Sequence, residues 1–437
     1  MNTVPLNREQ VNKIVADNKI ESLGKASIRE VKKVINDVEK AFDFKFVRME
    51  MGIPGLPTVK VGVDAQIQAL KDGVSAIYPD IYGTLELKQE TKRFVKNFLD
   101  VDIPEDSCVP VTGSMQGSFA SFMTVTRMDE KKNKLLFIDP GFPVQKQQCR
   151  ILGIETETFD VYQYRGEKLR EKLESYLVKG DIAGIVYSSP NNPAWFCFNE
   201  EELQIIADVA NKHDVVVIED LAYFGMDFRK DISKPGIAPF QPTAAKWAKK
   251  YILMISGSKV FSYAGERIGV IVISPELYAW HTDYMKKYFA QDTFGRAIVY
   301  GTIYALSSGT SHSVQYGLTA VMKECNEGRY NMVEGIREYE RKAKFMKDAL
   351  VENGFEIVYD KDMNVPIADG FYFTFNYPGM TGEQTLNELV YYGISAISLD
   401  ITGSDQQGLR ACVSLVPNDM LPVFAERVKQ FNIDHKK

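Results

Sequence analysis

Short apolar runs punctuate the middle of the chain, and amphipathic stretches separate them. The runs are Asn133–Pro140 (NKLLFIDP), Ile182–Pro190 (IAGIVYSSP), Asp214–Asp220 (DVVVIED), Tyr251–Ser258 (YILMISGS) and Arg267–Ser274 (RIGVIVIS). Their apolar character is continuous rather than alternating. That predicts strands buried on both faces of a mostly parallel sheet. Between the second and third runs, Asn199–Asp214 has helical spacing, with Asn199 placed as an N-cap. Strand, helix, strand in series predicts an α/β domain.

After about residue 310 the pattern changes. Tyr330–Gly354 is long, charged and helical, and it stops at a glycine. The strand-like segments FEIVY, GFYFTFNY and LRACVSLV follow, which predicts a smaller α+β domain. Ser27–Phe42 carries an apolar stripe that has to be buried, and the small domain is the expected place. The predicted division is a large α/β domain over 60–310 and a small α+β domain formed by both termini, 1–59 and 311–437.

Composition narrows the function. The chain has 437 residues, 45% hydrophobic and 11% aromatic, ample for a large core and more than one domain. A net charge of −6 gives neither nucleic acid nor an anionic membrane an electrostatic reason to bind. No stretch approaches the ~20 apolar residues of a membrane span. The polar N-terminus lacks the apolar core of a signal peptide. Five scattered cysteines form neither a CxxC pair nor a disulfide framework, which predicts a reducing, cytoplasmic setting. Four lone histidines lack ligand spacing, so no metal site is expected.

Ligands of open α/β sheets sit beyond the carboxyl ends of the strands, so the residues that follow each run matter most. Gly113-Ser114-Met115-Gln116 opens a helix, and Pro140-Gly141-Phe142 and Pro190-Asn191-Asn192-Pro193 follow two of the runs. Asp220 ends another, with Tyr223 one turn on, and Ser258 and Lys259 follow the next. Together they offer an anion cradle, an aromatic, an amide, a carboxylate with a phenol, and a lysine. A phosphorylated aromatic heterocycle bearing an aldehyde uses all of them. Taken alone, the residues stop at an α/β enzyme of a phosphorylated ligand with a lysine in its cleft.

The stretch SGSKVFSYAGERIG, Ser256–Gly269, resembles the Ser-x-Ser-Lys signature of the fold type I pyridoxal 5′-phosphate enzymes. The likeness is specifically to the class I/II aminotransferases of the aspartate aminotransferase superfamily. YPDIYGTLELKQ, from Tyr78, is similar to the family's Tyr-x-x-x-x-Gly-x-x-x-Leu segment, and MGIPGLP, NNP, DLAYF and LRACVSL fall in the family order. The resemblance covers nearly the whole chain. It implies a mostly parallel seven-stranded sheet flanked by helices, beside a smaller α+β domain.

By this resemblance Lys259 holds the cofactor as an imine. That role needs an amine able to be neutral near pH 7, as a desolvated, cation-flanked lysine can be. Asp220 would face the pyridine nitrogen and keep it protonated. Tyr223 and Asn192 would bond the ring oxygen, and Phe142 would stack on the ring. Backbone N–H groups of Ser114 and Met115, with Ser256, Ser258 and Arg267, would hold the phosphate. Tyr78 would reach the phosphate of the neighbouring subunit, which implies a C2 homodimer. In the small domain Arg410 would grip the substrate's α-carboxylate, with Gly52 bringing backbone close to the same group.

The implied reaction moves an amino group from an L-amino acid to a 2-oxo acid through imine and ketimine intermediates. Lys259 would be the general base, with Asp220 and Tyr223 as its catalytic companions. The same fold also hosts β-lyases, decarboxylases and synthases that share these residues. A non-catalytic cofactor-binding regulator is the reading from another class. The negative charge and the presence of Lys259, Asp220 and Arg410 weigh against it.

Two departures bear on substrate choice. After Asn192-Pro193 the chain reads Ala-Trp-Phe where the family commonly has Thr-Gly, so Trp195 and Phe196 add bulk. Dicarboxylate-specific relatives place an arginine shortly before a serine-rich turn; here Ile303 and Tyr304 precede Ser307-Ser308. Arg296 is the nearest substitute, and a neutral or aromatic side chain is the expected preference.

Overall fold

Seven segments of the central chain pair into one sheet in a computed structural model that describes residues 4–436. They are β1 (Cys108–Val111), β2 (Lys134–Asp139), β3 (Thr156–Asp160), β4 (Ile182–Ser188), β5 (Val216–Leu221), β6 (Tyr251–Ser256) and β7 (Gly269–Ile273). Their order is β1-β7-β6-β5-β4-β2-β3. From β6 to β3 every neighbouring pair is parallel, and β7 runs antiparallel to both β6 and β1. Three strands built from the apolar runs, β5, β6 and β7, are wholly buried, and so is β1 at one edge of the sheet. The edge strand β3 reads TETFD and is exposed over its first half, so it lacks the apolar run that marks the others. The helix Glu200–Lys212 connects β4 to β5. It starts on a capping box in which Asn199 accepts from the Glu202 N–H and Glu202 accepts from the Asn199 N–H.

The chain divides into two units, one of Leu56–Pro190 and Cys197–Ile336, the other of Met1–Gly55, Asn191–Phe196 and Arg337–Lys437. The boundary expected at 310/311 therefore lies after Ile336, and the one expected at 59/60 lies after Gly55. The reason is the helix His312–Asn326, which packs on the helices Lys60–Lys71 and Leu85–Leu99. Its polar side chains are tied there. Gln315 Oε1 accepts from the Thr84 N–H at 2.9 Å, and Asn326 Nδ2 donates to the Glu90 carbonyl at 3.0 Å. Asn191–Phe196, expected within the large domain, belongs to the other unit.

That other unit is built on an antiparallel sheet of β8 (Glu356–Ile357), β9 (Tyr372–Asn376), β10 (Ile397–Ser398) and β11 (Leu409–Cys412), in the order β10-β11-β9-β8. The predicted helix over 330–354 is shorter, Glu338–Glu352, and Gly354 takes φ +80° to turn the chain into β8. Helix Ile28–Phe42 lies in this unit. It opens on a Ser27/Glu30 capping box and buries Val31, Val34, Ile35 and Val38. Among the described residues no helix is long and apolar enough to cross a membrane.

Candidate active site

The reversed direction of β7 shapes the site in the larger unit. Because β7 is antiparallel, its leading residues lie at the same sheet edge as the carboxyl ends of β1 and β6. In register, Val111 pairs with Gly269 and Gly269 with Ser256. Arg267, two residues before β7, is thereby delivered to the start of the helix Gly113–Val125. The approach is close: a Cβ on Gly113, at φ +68°, would lie 2.5 Å from Arg267 Nη2. A Cβ on Gly269 would lie 3.4 Å from the Ser114 nitrogen. Only glycine at 113 lets a guanidinium rest on this helix start.

The result is an anion cradle. The helix offers its unpaired first-turn N–H groups, including those of half-buried Ser114 and Met115. Gln116 Oε1 accepts the preceding Thr112 N–H at 2.7 Å and so fixes the turn. Ser258 N–H donates to Ser256 Oγ at 3.1 Å, which sets both serines in the bend after β6. Arg267 Nη1 donates to the Ala264 carbonyl at 2.8 Å.

The carboxylate comes from β5. Asp220 lies in register between Ser188 of β4 and Met254 of β6. Its Oδ2 accepts from Gln145 Nε2 at 2.8 Å and its Oδ1 from the Ala222 N–H at 3.0 Å. Burial pushes the carboxyl up to about 6, while those two hydrogen bonds and the charge of Lys259 pull it down. Lys259, half-buried, thus sits within the field of Asp220. Tyr223 is buried one turn past Asp220. Phe142 is the N-cap residue of the helix Pro143–Leu152, which carries Gln145. Gln145 was not singled out from sequence. Its signal was its place one helical turn after Phe142, on the first turn of a helix that starts at a strand end. Tyr78 is 87% exposed, next to an exposed Ile77.

The smaller unit holds the other predicted residues. Arg410 is 2% exposed on β11, flanked in register by Thr374 of β9 and Ile397 of β10. Its Nη2 donates to the Glu50 carbonyl at 2.6 Å and its Nη1 to Asn192 Oδ1 at 3.4 Å, while buried Nε has no hydrogen-bond partner among the described residues. The strand segment before Gly52 is fixed from two sides. Val47 pairs in parallel with Ile394, and the Cys412 N–H donates to the Met49 carbonyl at 2.9 Å. The Glu50 carboxylate is turned away from Arg410, to Arg48 Nε at 2.8 Å and Ser395 Oγ at 2.6 Å. Trp195 and Phe196 are fully buried in this unit, and Trp195 takes φ +66°. Arg296 is occupied in the other unit, donating to Gln291 Oε1 at 2.8 Å.

Chemically, the larger unit combines a helix start with a guanidinium beside it, a buried carboxylate and an amine. The smaller unit offers a buried cation, Arg410, with no carboxylate paired to it among the described residues.

The sequence profile described as Aminotransferase class I and II matches residues 45–428. The chain is 22% identical to the "Probable aspartate aminotransferase" of Methanocaldococcus jannaschii over 231 residues, 53% of this chain and 58% of that protein. It is 24% identical to the LL-diaminopimelate aminotransferase of Halothermothrix orenii over 351 residues, 79% of this chain and 81% of that protein. The matches to the first two curated relatives span only 58% and 57% of their lengths. Among solved structures, a single mutant of Thermus thermophilus aspartate aminotransferase superposes with a TM-score of 0.77 at 15% identity, covering 93% of this chain and 97% of that one.

Proposed function

Because the chain belongs to the aminotransferases of class I and II, we propose that it is a pyridoxal 5′-phosphate-dependent transaminase that moves an amino group from an L-amino acid to a 2-oxo acid. The observation that supports this reading is the gathering at one sheet edge of Lys259, a buried Asp220 within its field, and Arg267 pressed on a helix start. When bound, the cofactor supplies an aldehyde for the substrate's amine and a cationic ring that draws electrons from the substrate's Cα.

The chain's own residues do the rest. The first N–H groups of the helix at Gly113, the hydroxyls of Ser256 and Ser258, and Arg267 take the phosphate. Ionised Asp220, oriented by Gln145, holds a proton on the ring nitrogen. Phe142 would stack on the ring, and Tyr223 and Asn192 would be the donors to its oxygen. Lys259 Nζ, as the neutral amine, takes the proton from the substrate's Cα and gives it back in the opposite half-reaction. Arg410 and the backbone at Gly52 would hold the α-carboxylate and so orient the substrate. Exposed Tyr78 serves the phosphate of a second subunit, which makes the working form a homodimer. A neutral or aromatic side chain on the substrate fits the occupied Arg296 and the apolar Ile303.

The test is an absorbance spectrum of the purified protein with pyridoxal phosphate and a panel of amino acids. A visible band that shifts with particular amino acids, with release of the matching 2-oxo acid, is the expected result. Failure to take up the cofactor, or undiminished turnover by Lys259→Ala, overturns the reading.

A further inference from the structure

The register of the small sheet places a tyrosine where the carboxylate is expected. Tyr372 of β9 stands opposite Cys412 of β11, and Thr374 opposite Arg410. Tyr372 and Arg410 are therefore diagonal neighbours on one face of an antiparallel pair, close enough for long side chains to meet. They do meet: the Arg410 guanidinium carbon lies 4.7 Å from the centroid of the Tyr372 ring. At its far end the same ring reaches Gly52, where a Cβ would lie 2.0 Å from the Tyr372 hydroxyl oxygen. An alanine at 52 is therefore excluded by this hydroxyl. The Trp195 ring meets Tyr372 edge-on at 5.9 Å, and Tyr372 is 2% exposed. One buried side chain thus touches both groups assigned to the α-carboxylate.

The charge balance gives that contact a purpose. Arg410 is a buried cation whose protein partners are a carbonyl, an amide oxygen and an aromatic face, all neutral. A π face attracts a guanidinium without neutralising it. The ring helps hold the cation in place, and its charge stays available to an incoming anion. The phenol hydroxyl lies beside Gly52, the other group assigned to the carboxylate.

We propose that Tyr372 is a positioning residue for the substrate's α-carboxylate, its ring fixing the plane of Arg410 and its hydroxyl bounding the carboxylate over Gly52. The inference rests on the transaminase reading. Two variants separate the two contributions. Tyr372→Phe keeps the ring and loses the hydroxyl; Tyr372→Leu loses both.

The experiment uses the full-length holoenzyme. It measures kcat and KM for the best amino-acid donor found in the spectral panel. In parallel it measures the single-turnover spectral response to the corresponding primary amine, which lacks the carboxylate. Thermal melts check that each variant folds. Loss of one hydrogen bond to a charged group raises KM about tenfold, so Tyr372→Phe is expected to raise KM for the amino acid by that factor while kcat falls less than the KM rises. Tyr372→Leu raises KM further, and neither variant changes the response to the amine. A Tyr372→Phe enzyme with wild-type KM, or one that loses the amino acid and the amine equally, overturns the inference and leaves transamination standing. A wild-type protein that turns over no amino acid overturns the transaminase reading instead, and the role of Tyr372 with it.

Discussion

Gln145 Nε2 donates to Asp220 Oδ2 at 2.8 Å, from the first turn of a helix that the Phe142 loop begins. It is a neutral donor, so it steadies the ionised carboxylate without neutralising it. Burial has already raised Asp220 to about 6. Removing a hydrogen bond to a charged group costs that form about 1.5 kcal/mol, roughly one pH unit. Gln145→Leu is therefore expected to raise Asp220 further. Cofactor binding that needs the ionised form then weakens on the acid side, at a pH about one unit higher than in the wild type. Fluorescence titration of the apoprotein with pyridoxal phosphate, between about pH 5 and 8, reads this directly. An unmoved acid limb would mean that Asp220 does not govern binding.

The Arg267–Gly113 contact leads to a test of the cradle. Gly113→Ala puts a Cβ 2.5 Å from Arg267 Nη2, at a residue with φ +68°. The left-handed backbone costs an L-residue about 1–2 kcal/mol, and the guanidinium has to leave the helix start. The expected result is at least about tenfold weaker binding of pyridoxal phosphate, from the loss of a charge-assisted contact. Binding of pyridoxal, which has no phosphate, should change little. Equal losses for both ligands would show a general distortion and refute the cradle.

How much of this was legible in the sequence depends on which signal each residue carried. Continuous apolar runs marked β2, β4, β5, β6 and β7, because a strand buried on both faces has no polar side to show. The same signal was blind to direction, so nothing in RIGVIVIS announced that β7 is reversed. It was silent on β3, whose edge position tolerates TETFD. Most of the residues expected at the phosphate and the ring nitrogen stand out in the sequence because they follow strand ends; Arg267, which precedes β7, does not. Gln145 and Tyr372 were passed over, since one lies on a helix and the other in a strand, where side chains are ordinarily read as packing. The placement of Asn191–Phe196 escaped for a different reason. Trp195 is buried in the smaller unit, against Gly370, through a contact distant in sequence.

That contact is itself testable. A Cβ on Gly370 would lie 2.2 Å from Trp195 Nε1 and 2.3 Å from two ring carbons. The indole is fully buried and its backbone is already at φ +66°, so it has little room to retreat. Overpacking of this kind costs about 1–3 kcal/mol. Gly370→Ala should lower the melting temperature by several degrees, and adding Trp195→Leu should recover part of the loss. A double variant no better than the sum of the singles would show that the two residues are not coupled.

Glu219 gives a prediction about stability that is separate from the chemistry. It precedes Asp220 on β5 and so points to the opposite face of the sheet. There it is fully buried, with Oε2 accepting from Thr243 Oγ1 at 2.7 Å and from the Ala244 N–H at 3.2 Å. Tyr187, also buried, stands beside it in register on β4. No cation is among these partners, and burial pushes the carboxyl up to about 7. The folded protein therefore binds this proton more tightly than the unfolded chain does. Below the unfolded value, near 4.5, the group is neutral in both states and costs nothing. As pH rises from there to about 7, the unfolded chain ionises first, and stability is lost. A shift of this size corresponds to roughly 3 kcal/mol. Glu219→Gln has no proton to lose, and its amide oxygen can still accept from Thr243 and Ala244. Its stability should match that of the wild type near pH 5 within about 1 kcal/mol and exceed it near pH 8 by roughly 3 kcal/mol. Denaturant unfolding of the apoprotein at both values decides it. A difference between the two proteins that stays constant with pH would show that Glu219 ionises alike in the folded and unfolded states.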